Sequence, residues 1–537
     1  MSKQRKHIKV TYSTLGSPDP LLHEYFEEDV TELKNNLGQR YQMLINGEWV
    51  EGEATFENRS PINTDWLLGI FAQASTNHVD QAVAAAAAAF PAWRDTPWSE
   101  RCDLINRFAD LISERLFEIS AAVSMEIGKN RLEAIGDVEE AADLIRYCVD
   151  AMRDNQGFDR QLLSESDQHF NRSVLKPYGV WGVIGPFNFP AALTGGPTGA
   201  ALVAGNTVVL KPAAEGSLTA SLIAQCVVDA GLPAGVFNMA LGGDEPGMAL
   251  TANPELAGLT FTGSYQVGMS IIKSFTTATG YFRPVIAEMG GKNPAIVSAN
   301  ADLDKAALGV MRSAFGLTGQ KCSACSRVYV DEAVKDEFVD KLVALADDVK
   351  VGDPTDADTY MGPIIGESAY QAYQRYIAEL SAGNIRSGGE TLAVGGGVGA
   401  RRHSPADTHR SNGYFVAPTV VTDLPDDHRL WQHEMFAPIV AVRGVDSPDE
   451  AMRLANGVAL GLTAGFYSED PAEVEWFLDN IEAGVLYVNR ATGATTGAWP
   501  GYQSFGGWKG STGSNKASGS WYYLQQYMRE QSHTIVG

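Results

Sequence analysis

At 537 residues the chain is longer than one ordinary core, so two or three substructures are expected. Hydrophobic residues at 45% against 20% charged are globular composition and exclude a disordered chain. A formal net charge of −24 excludes a nucleic-acid partner, because gripping phosphates takes clustered Lys and Arg.

The first residues carry a basic cluster (Lys3, Arg5, Lys6, Lys9) with no apolar stretch behind it, which reads as a solvated tail rather than a signal peptide. Residues 1–41 show no strong periodicity and are expected to be an N-terminal extension. Residues 43–50 are extended, with Asn46-Gly47 as a hairpin signal. From 77 to 147 the pattern is helical, with Asn77 or Asp80 as candidate caps of an alanine-rich helix. Its run at 82–90 is the richest apolar stretch of the chain and falls short of membrane-spanning length. No membrane partner is expected, and the cytoplasm is the default location. Residues 157–177 are polar, as in a loop or projecting hairpin.

The rhythm then changes. Apolar runs at 180–184, 207–210, 236–239 and 259–262 alternate with helical stretches at 190–204, 218–230 and 246–250. This is the signature of a parallel sheet with crossover helices, whose ligands sit at the carboxyl ends of the strands. A second series follows: a helix at 303–313, a strand at 326–330, and a helix with Val334, Phe338, Leu342, Leu345 and Val349 on one face. A Gly-rich stretch at 387–413 reads as a surface loop. The reading is α/β, with two parallel-sheet lobes.

Five residues or motifs carry candidate chemistry. Asn188, between strand and helix, would donate to an oxyanion, or else merely cap the helix. Lys211 ends a strand and would hold a ribose or a phosphate, unless it is simply solvated. Gly263-Ser264 opens a helix after a strand and suits a pyrophosphate, although it is not G-x-G-x-x-G. Glu288 ends an apolar strand before Gly290-Gly291; desolvation there would raise it towards neutrality and make it a general base. Its bland alternative is a solvated strand-end carboxylate. Five cysteines (Cys102, Cys148, Cys226, Cys322, Cys325) are odd in number and scattered, so reduced thiols are expected. Cys322 lies in a Gly-containing turn, with Lys321 beside it to favour the thiolate. A buried structural cysteine is the alternative. The C-x-x-C formed with Cys325 lacks the second ligand pair a zinc site needs, so no metal is expected.

Taken in order, Pro186-Phe-Asn-Phe-Pro190, Gly205-Asn-Thr-Val-Val-Leu-Lys-Pro212, Phe261-Thr-Gly-Ser264, Glu288-Met-Gly-Gly-Lys292, Gly319-Gln-Lys-Cys322 and Glu434-Met-Phe-Ala-Pro438 resemble the aldehyde dehydrogenase superfamily. The resemblance runs from about residue 42 to the C-terminus. The segment 313–327, Tyr360-Met-Gly-Pro363 and residues 496–507 are most similar to its 1-pyrroline-5-carboxylate (L-glutamate γ-semialdehyde) dehydrogenases. The resemblance implies Cys322 as nucleophile, Glu288 as general base, and an oxyanion hole from Asn188 and the Cys322 N–H. It assigns Lys211, Gly243, Gly247, Gly263, Ser264, Glu434 and Phe436 to an NAD cofactor, with NADP admitted. Ser323, Gly497, Ala498 and Phe505 would bind the substrate. The implied reaction oxidises an aldehyde to a carboxylate through a thiohemiacetal and a thioester. Other semialdehydes or aliphatic aldehydes are the next reading; a cofactor-free thiol esterase and an idle structural member are those from other classes.

It further implies a Rossmann-like cofactor domain (42–156 and 178–289), a catalytic domain (290–490), and a small β oligomerisation arm (157–177 and 515–537) building a homo-oligomer from dimers. Three departures stand out. Ala214 occupies the position where NAD-preferring members often carry Glu, and Glu215 follows it, which leaves NAD against NADP open. The segment after Asn489-Arg490 is about three residues long in excess and holds Thr-Gly-Ala twice. Ala437 stands where Gly is usual.

Overall fold

The computed structural model of the protein describes residues 5, 6, 8–11, 14, 18–392, 412–514 and 516–537. The N-terminal extension differs from expectation. Residues Pro20–Asn35 form a helix, capped by Asp19 and started by Pro20 at its first turn. Its buried residues Leu22, Phe26 and Val30 recur at a spacing of one turn, so the periodicity is present but narrow. The stripe packs on the helix Leu116–Ile127, making the extension part of the first core.

That core is built on a seven-stranded sheet. Strands Val285–Glu288, Leu256–Thr262, Val180–Ile184, Thr207–Lys211 and Phe237–Met239 run parallel, in that order. The hairpin Met43–Ile45/Glu48–Val50 adds antiparallel at one side, turned by Asn46 and Gly47, both with positive φ as a two-residue turn requires. The helices Thr76–Asp95, Trp98–Glu114, Leu116–Ile127 and Arg131–Asp154 account for the long helical region. Neither expected residue caps the first of these. Ser75 holds the cap position, its N–H donating to His78 Nδ1 at 3.2 Å, whereas Asp80 accepts from Asn253 at 2.9 Å.

The second seven-stranded sheet runs Asn384–Ser387, Thr419–Thr422, Ile439–Val445, Cys325–Asp331, Asn293–Val297, Thr463–Tyr467 and Val485–Val488, all parallel except the first. Helix Leu303–Phe315, capped by Asp302, packs Ala307, Val310 and Ala314 beside Phe338, Val339 and Leu342 of the helix Lys335–Asp347 in a second core. Of the expected loop at 387–413, residues 393–411 lie outside the described residues; Thr391–Leu392 pairs with Phe415–Val416.

Residues 157–177 contain a hairpin, Asp159–Gln161 with His169–Pro177, and the C-terminal strand Met528–Val536 pairs antiparallel along the whole length of the latter. Among the described residues no helix is long and apolar enough to cross a membrane.

Candidate active site

The register of the first sheet brings the candidate residues level. Glu288 is opposite Thr262, and Ile184 is opposite Lys211. Asn188, Lys211, Gly263-Ser264 and Glu288 therefore all emerge at one carboxyl edge, where an open parallel sheet leaves its crevice.

Cys322 belongs to the other sheet, in the turn between helix Leu303–Phe315 and strand Cys325–Asp331. Leu317, Thr318 and Gly319 are consecutive left-handed residues, costly for the first two, and each has an anchor. Leu317 N–H donates to Glu133 Oε2 at 3.0 Å, and the Thr318 hydroxyl to the Gly362 carbonyl at 2.9 Å. A side chain on Gly319 would collide with the Ala437 carbonyl. Asn293 Nδ2 donates to the carbonyls of Cys322 (2.7 Å) and Ala324 (3.0 Å). Cys322 is half-buried, while Cys325 is packed in the core with its thiol towards the Arg327 carbonyl.

Lys321 does not act on the sulfur as expected. Its Nζ pairs with Glu133 Oε1 at 2.6 Å. Burial first, then the carboxylates of Glu434 and Glu288, push the Cys322 thiol up to about 12; the N–H groups of Ser323 and Cys322 pull weakly the other way.

Asn188 is buried, and its Nδ2 donates to the Gln320 carbonyl at 2.9 Å, two residues before the sulfur. It does not cap the following helix. Ala192 N–H there donates to Asp137, a buried carboxylate 3.1 Å from Lys129, whose ammonium lies 3.5 Å from the Phe189 ring centre. An amide has two N–H bonds, so Asn188 keeps one for another acceptor.

Burial raises Glu288 to about 8, against the opposing Thr512 hydroxyl and Gly507 N–H. Thr512 donates to Oε1 at 2.9 Å, while Oε2 is shielded from solvent and has no hydrogen-bond partner among the described residues. Past the strand end, Gly290-Gly291 passes between two walls. A Cβ on Gly290 would strike the Glu434 carboxylate, and one on Gly291 the Cys322 carbonyl. Gly291 N–H donates to Glu434 Oε1 at 3.0 Å, and burial lifts Glu434 to about 7. The two glycines let the loop after Glu288 pass closely between the Glu434 carboxylate and the Cys322 backbone. A thiol, a carboxylate with a raised pKa and an amide donor are the groups needed to add to a carbonyl and hydrolyse the adduct.

Residues 49–533 match the aldehyde dehydrogenase family. The chain belongs to that family. It is 37% identical to 1-pyrroline-5-carboxylate dehydrogenase 1 of Halalkalibacterium halodurans over 94% of this chain and 95% of that protein. Among solved structures it resembles a 1-pyrroline-5-carboxylate dehydrogenase from Thermus with bound NAD (TM-score 0.91, 30% identity, 100% of both chains). Proline utilization A from Bdellovibrio bacteriovorus matches with TM-score 0.89 and 34% identity, over 96% of this chain and 52% of that one.

As an aldehyde dehydrogenase the chain has a nucleotide crevice to account for, and the residues present fit a dinucleotide. Lys211 is buried, which lowers its pKa, and Glu215 and Asp244 are the charged groups that act against that shift. Gly247 faces the Lys211 stem, and Gly243 has open space where a side chain would be. Ser264 caps the helix Tyr265–Thr277, accepting from Val267 N–H at 3.4 Å, so helix-start donors lie next to Gly263. Phe436 meets Phe187 edge-on at 5.9 Å and is itself left-handed (φ 54°). The unusual Ala437 is not left-handed, so its methyl carries no backbone strain.

The doubled Thr-Gly-Ala separates by depth. In the first copy, Ala494 is buried with its N–H on the Gly309 carbonyl at 2.9 Å; Thr495 then donates to the Ser323 carbonyl at 2.5 Å. In the second, Arg490 donates to the carbonyls of Thr496 (2.6 Å) and Gly497 (2.7 Å), and Ala498 follows. Phe505 is half-buried, paired with Ser518 and two residues before the Gly507 N–H that acts on Glu288. Glu133, Asn293, Arg490 and Thr512 escaped the sequence reading. Each works through a partner remote in the chain, and a side chain's distant partner leaves no mark on its neighbours.

Proposed function

We propose that this chain oxidises L-glutamate γ-semialdehyde, the open form of 1-pyrroline-5-carboxylate, to L-glutamate with NAD, NADP being the alternative carrier. The observation that carries the reading is the junction at Gly290-Gly291, which packs the backbone of Cys322 against the loop between Glu288 and Glu434. Thr495 on the Ser323 carbonyl and Arg490 on Thr496 and Gly497 hold the proposed substrate anchor, Ser323, Gly497 and Ala498, beside the nucleophile.

The Cys322 sulfur first passes its proton through a nearby carboxylate, Glu434 or Glu288, to solvent, so that Glu288 is ionised again when water attacks. The thiolate then adds to the aldehyde carbon. Asn188 Nδ2 and the Cys322 N–H hold the oxyanion. Lys211, Gly243, Gly247, Gly263, Ser264, Glu434 and Phe436 would hold NAD, which when bound would supply the hydride acceptor for oxidising the thiohemiacetal to a thioester. Glu288 takes a proton from water, whose oxygen attacks the thioester; the acid leaves and the thiolate is regenerated.

The proposed arm, 157–177 and 515–537, supports a homo-oligomer built from dimers, since Leu163, Phe170, Ile535 and Val536 leave apolar surface exposed there. The cofactor domain (42–156, 178–289), the catalytic domain (290–490) and a cytoplasmic location complete the proposal. A kinetic panel of glutamate semialdehyde, succinate semialdehyde and propanal with NAD⁺ and NADP⁺ tests it. The highest kcat/KM is expected for glutamate semialdehyde with NAD⁺; a better rate with propanal would reject the substrate. Cys322→Ala should abolish oxidation, and wild-type rates in that variant would reject the nucleophile.

A further inference from the structure

Strand Val285–Glu288 is the edge of its sheet, yet its outer side is not bare. Residues 511–513 lie along it: Met289 N–H donates to the Ser511 carbonyl at 2.8 Å, and Gly513 N–H to the Ala287 carbonyl at 2.7 Å. Glu288 and Thr512 form an isolated antiparallel bridge between these bonds. Residues opposed in such a bridge project to the same face, so the Thr512 side chain reaches the carboxylate without a detour. The Ser511 hydroxyl ties the segment down, donating to the Gly290 carbonyl at 2.8 Å and accepting Gly461 N–H at 3.0 Å.

The hydroxyl of Thr512 has one proton to give. It accepts Ser514 N–H at 3.3 Å and donates to Glu288 Oε1 at 2.9 Å. The donor thus has a fixed direction, and Oε2, shielded from solvent, has no hydrogen-bond partner of normal geometry among the described residues, the Gly507 N–H acting on the carboxylate more weakly than Thr512. We propose that Thr512 is the positioning residue of the general base: it fastens one carboxylate oxygen and leaves Oε2 as the atom that takes the proton from the attacking water. The proposal rests on Glu288 being that base. It assigns to a segment more than two hundred residues away the division of labour between the two oxygens. Because the hydroxyl also stabilises the ionised carboxylate, its loss makes Glu288 a scarcer base at neutral pH.

The test compares Thr512→Val, which keeps the β-branched shape, with Thr512→Ser, which keeps the hydroxyl, in the full-length enzyme with NAD⁺ and aldehyde. First-turnover NADH formation, steady-state turnover and its pH midpoint are measured. Thr512→Val should form NADH in the first turnover at near wild-type rate, turn over on the order of tenfold more slowly, and shift the pH midpoint upward by about one unit or more. Thr512→Ser should restore rate and midpoint. Thr512→Ala replaces Thr512→Val, with the same expectations, if the valine variant does not fold. A hydroxyl-free variant with unchanged turnover and midpoint overturns the proposal, as does a serine variant that fails like valine. Glu288→Gln separates the two levels. If it turns over normally, the base assignment fails and this inference with it; if it stalls after the first turnover while Thr512→Val is normal, only Thr512 is wrongly placed.

Discussion

Glu133 holds two things at once: its Oε1 lies 2.6 Å from Lys321 Nζ, and its Oε2 accepts the N–H of left-handed Leu317 at 3.0 Å. One carboxylate from the helix Arg131–Asp154 thereby fixes both ends of the turn that presents Cys322. Glu133→Ala should release the turn and lower kcat/KM on the order of tenfold or more, since misplacing a nucleophile by an ångström is costly. Glu133→Gln keeps an acceptor for Leu317 and should lose less. Equal losses in the two variants would show that the ion pair alone matters.

Asn188→Ala should slow turnover on the order of 10²-fold, the usual cost of one oxyanion donor. The variant also loses the bond to the Gln320 carbonyl, so a urea unfolding midpoint should accompany the kinetics. Unchanged turnover would remove Asn188 from the oxyanion hole.

Activity and stability should move oppositely with pH. Burial raises Glu288 to about 8, Glu126 to about 8 and Glu434 to about 7. Hydrolysis needs Glu288 ionised, so turnover should climb through about pH 8. For stability the sign reverses: between the ordinary carboxylate range and these raised values the native protein binds more protons than the unfolded chain. The stabilisation is full below the unfolded values and is lost as pH rises through the native ones. Denaturant titrations from pH 5 to 9 measure it, and Glu288→Gln should remove only the Glu288 share of the slope, leaving that of Glu126 and Glu434. A turnover profile flat from pH 6 to 9 would contradict the base assignment.

Arg490→Lys should raise KM for the semialdehyde about tenfold while changing kcat less. A lysine cannot reach the Thr496 and Gly497 carbonyls together as the guanidinium does. Propanal has no α-carboxylate to anchor, so its KM should change little. A parallel rise for propanal would show that the loop supports the whole pocket rather than the anchor.

Lys129→Met should lower unfolding free energy by about 3–5 kcal/mol, because it strands the fully buried Asp137 carboxylate without its cation. Chemical denaturation checks this directly. A loss under 1 kcal/mol would mean that Asp137 takes up a proton and the pair contributes little.

Much of the architecture was legible in the sequence because strand and helix periods are local. The alternation from 180 to 262 predicts the parallel sheet, and Asn46-Gly47 predicts its hairpin. The helix Pro20–Asn35 was missed because its buried stripe is only three apolar residues wide and reads as polar sequence. Cys322, Glu288 and Asn188 were legible as motifs, each a short string with its own residue types. Residue order alone says which groups are present and which strand ends carry them. Their partners come from the fold: Lys321 pairs with Glu133, and Glu288 accepts from Thr512 at Oε1 while Oε2 stays shielded. A carboxylate's partner and a thiol's proton depend on what folding brings within a few ångströms and on how much water it removes, and neither quantity is written in the neighbouring residues.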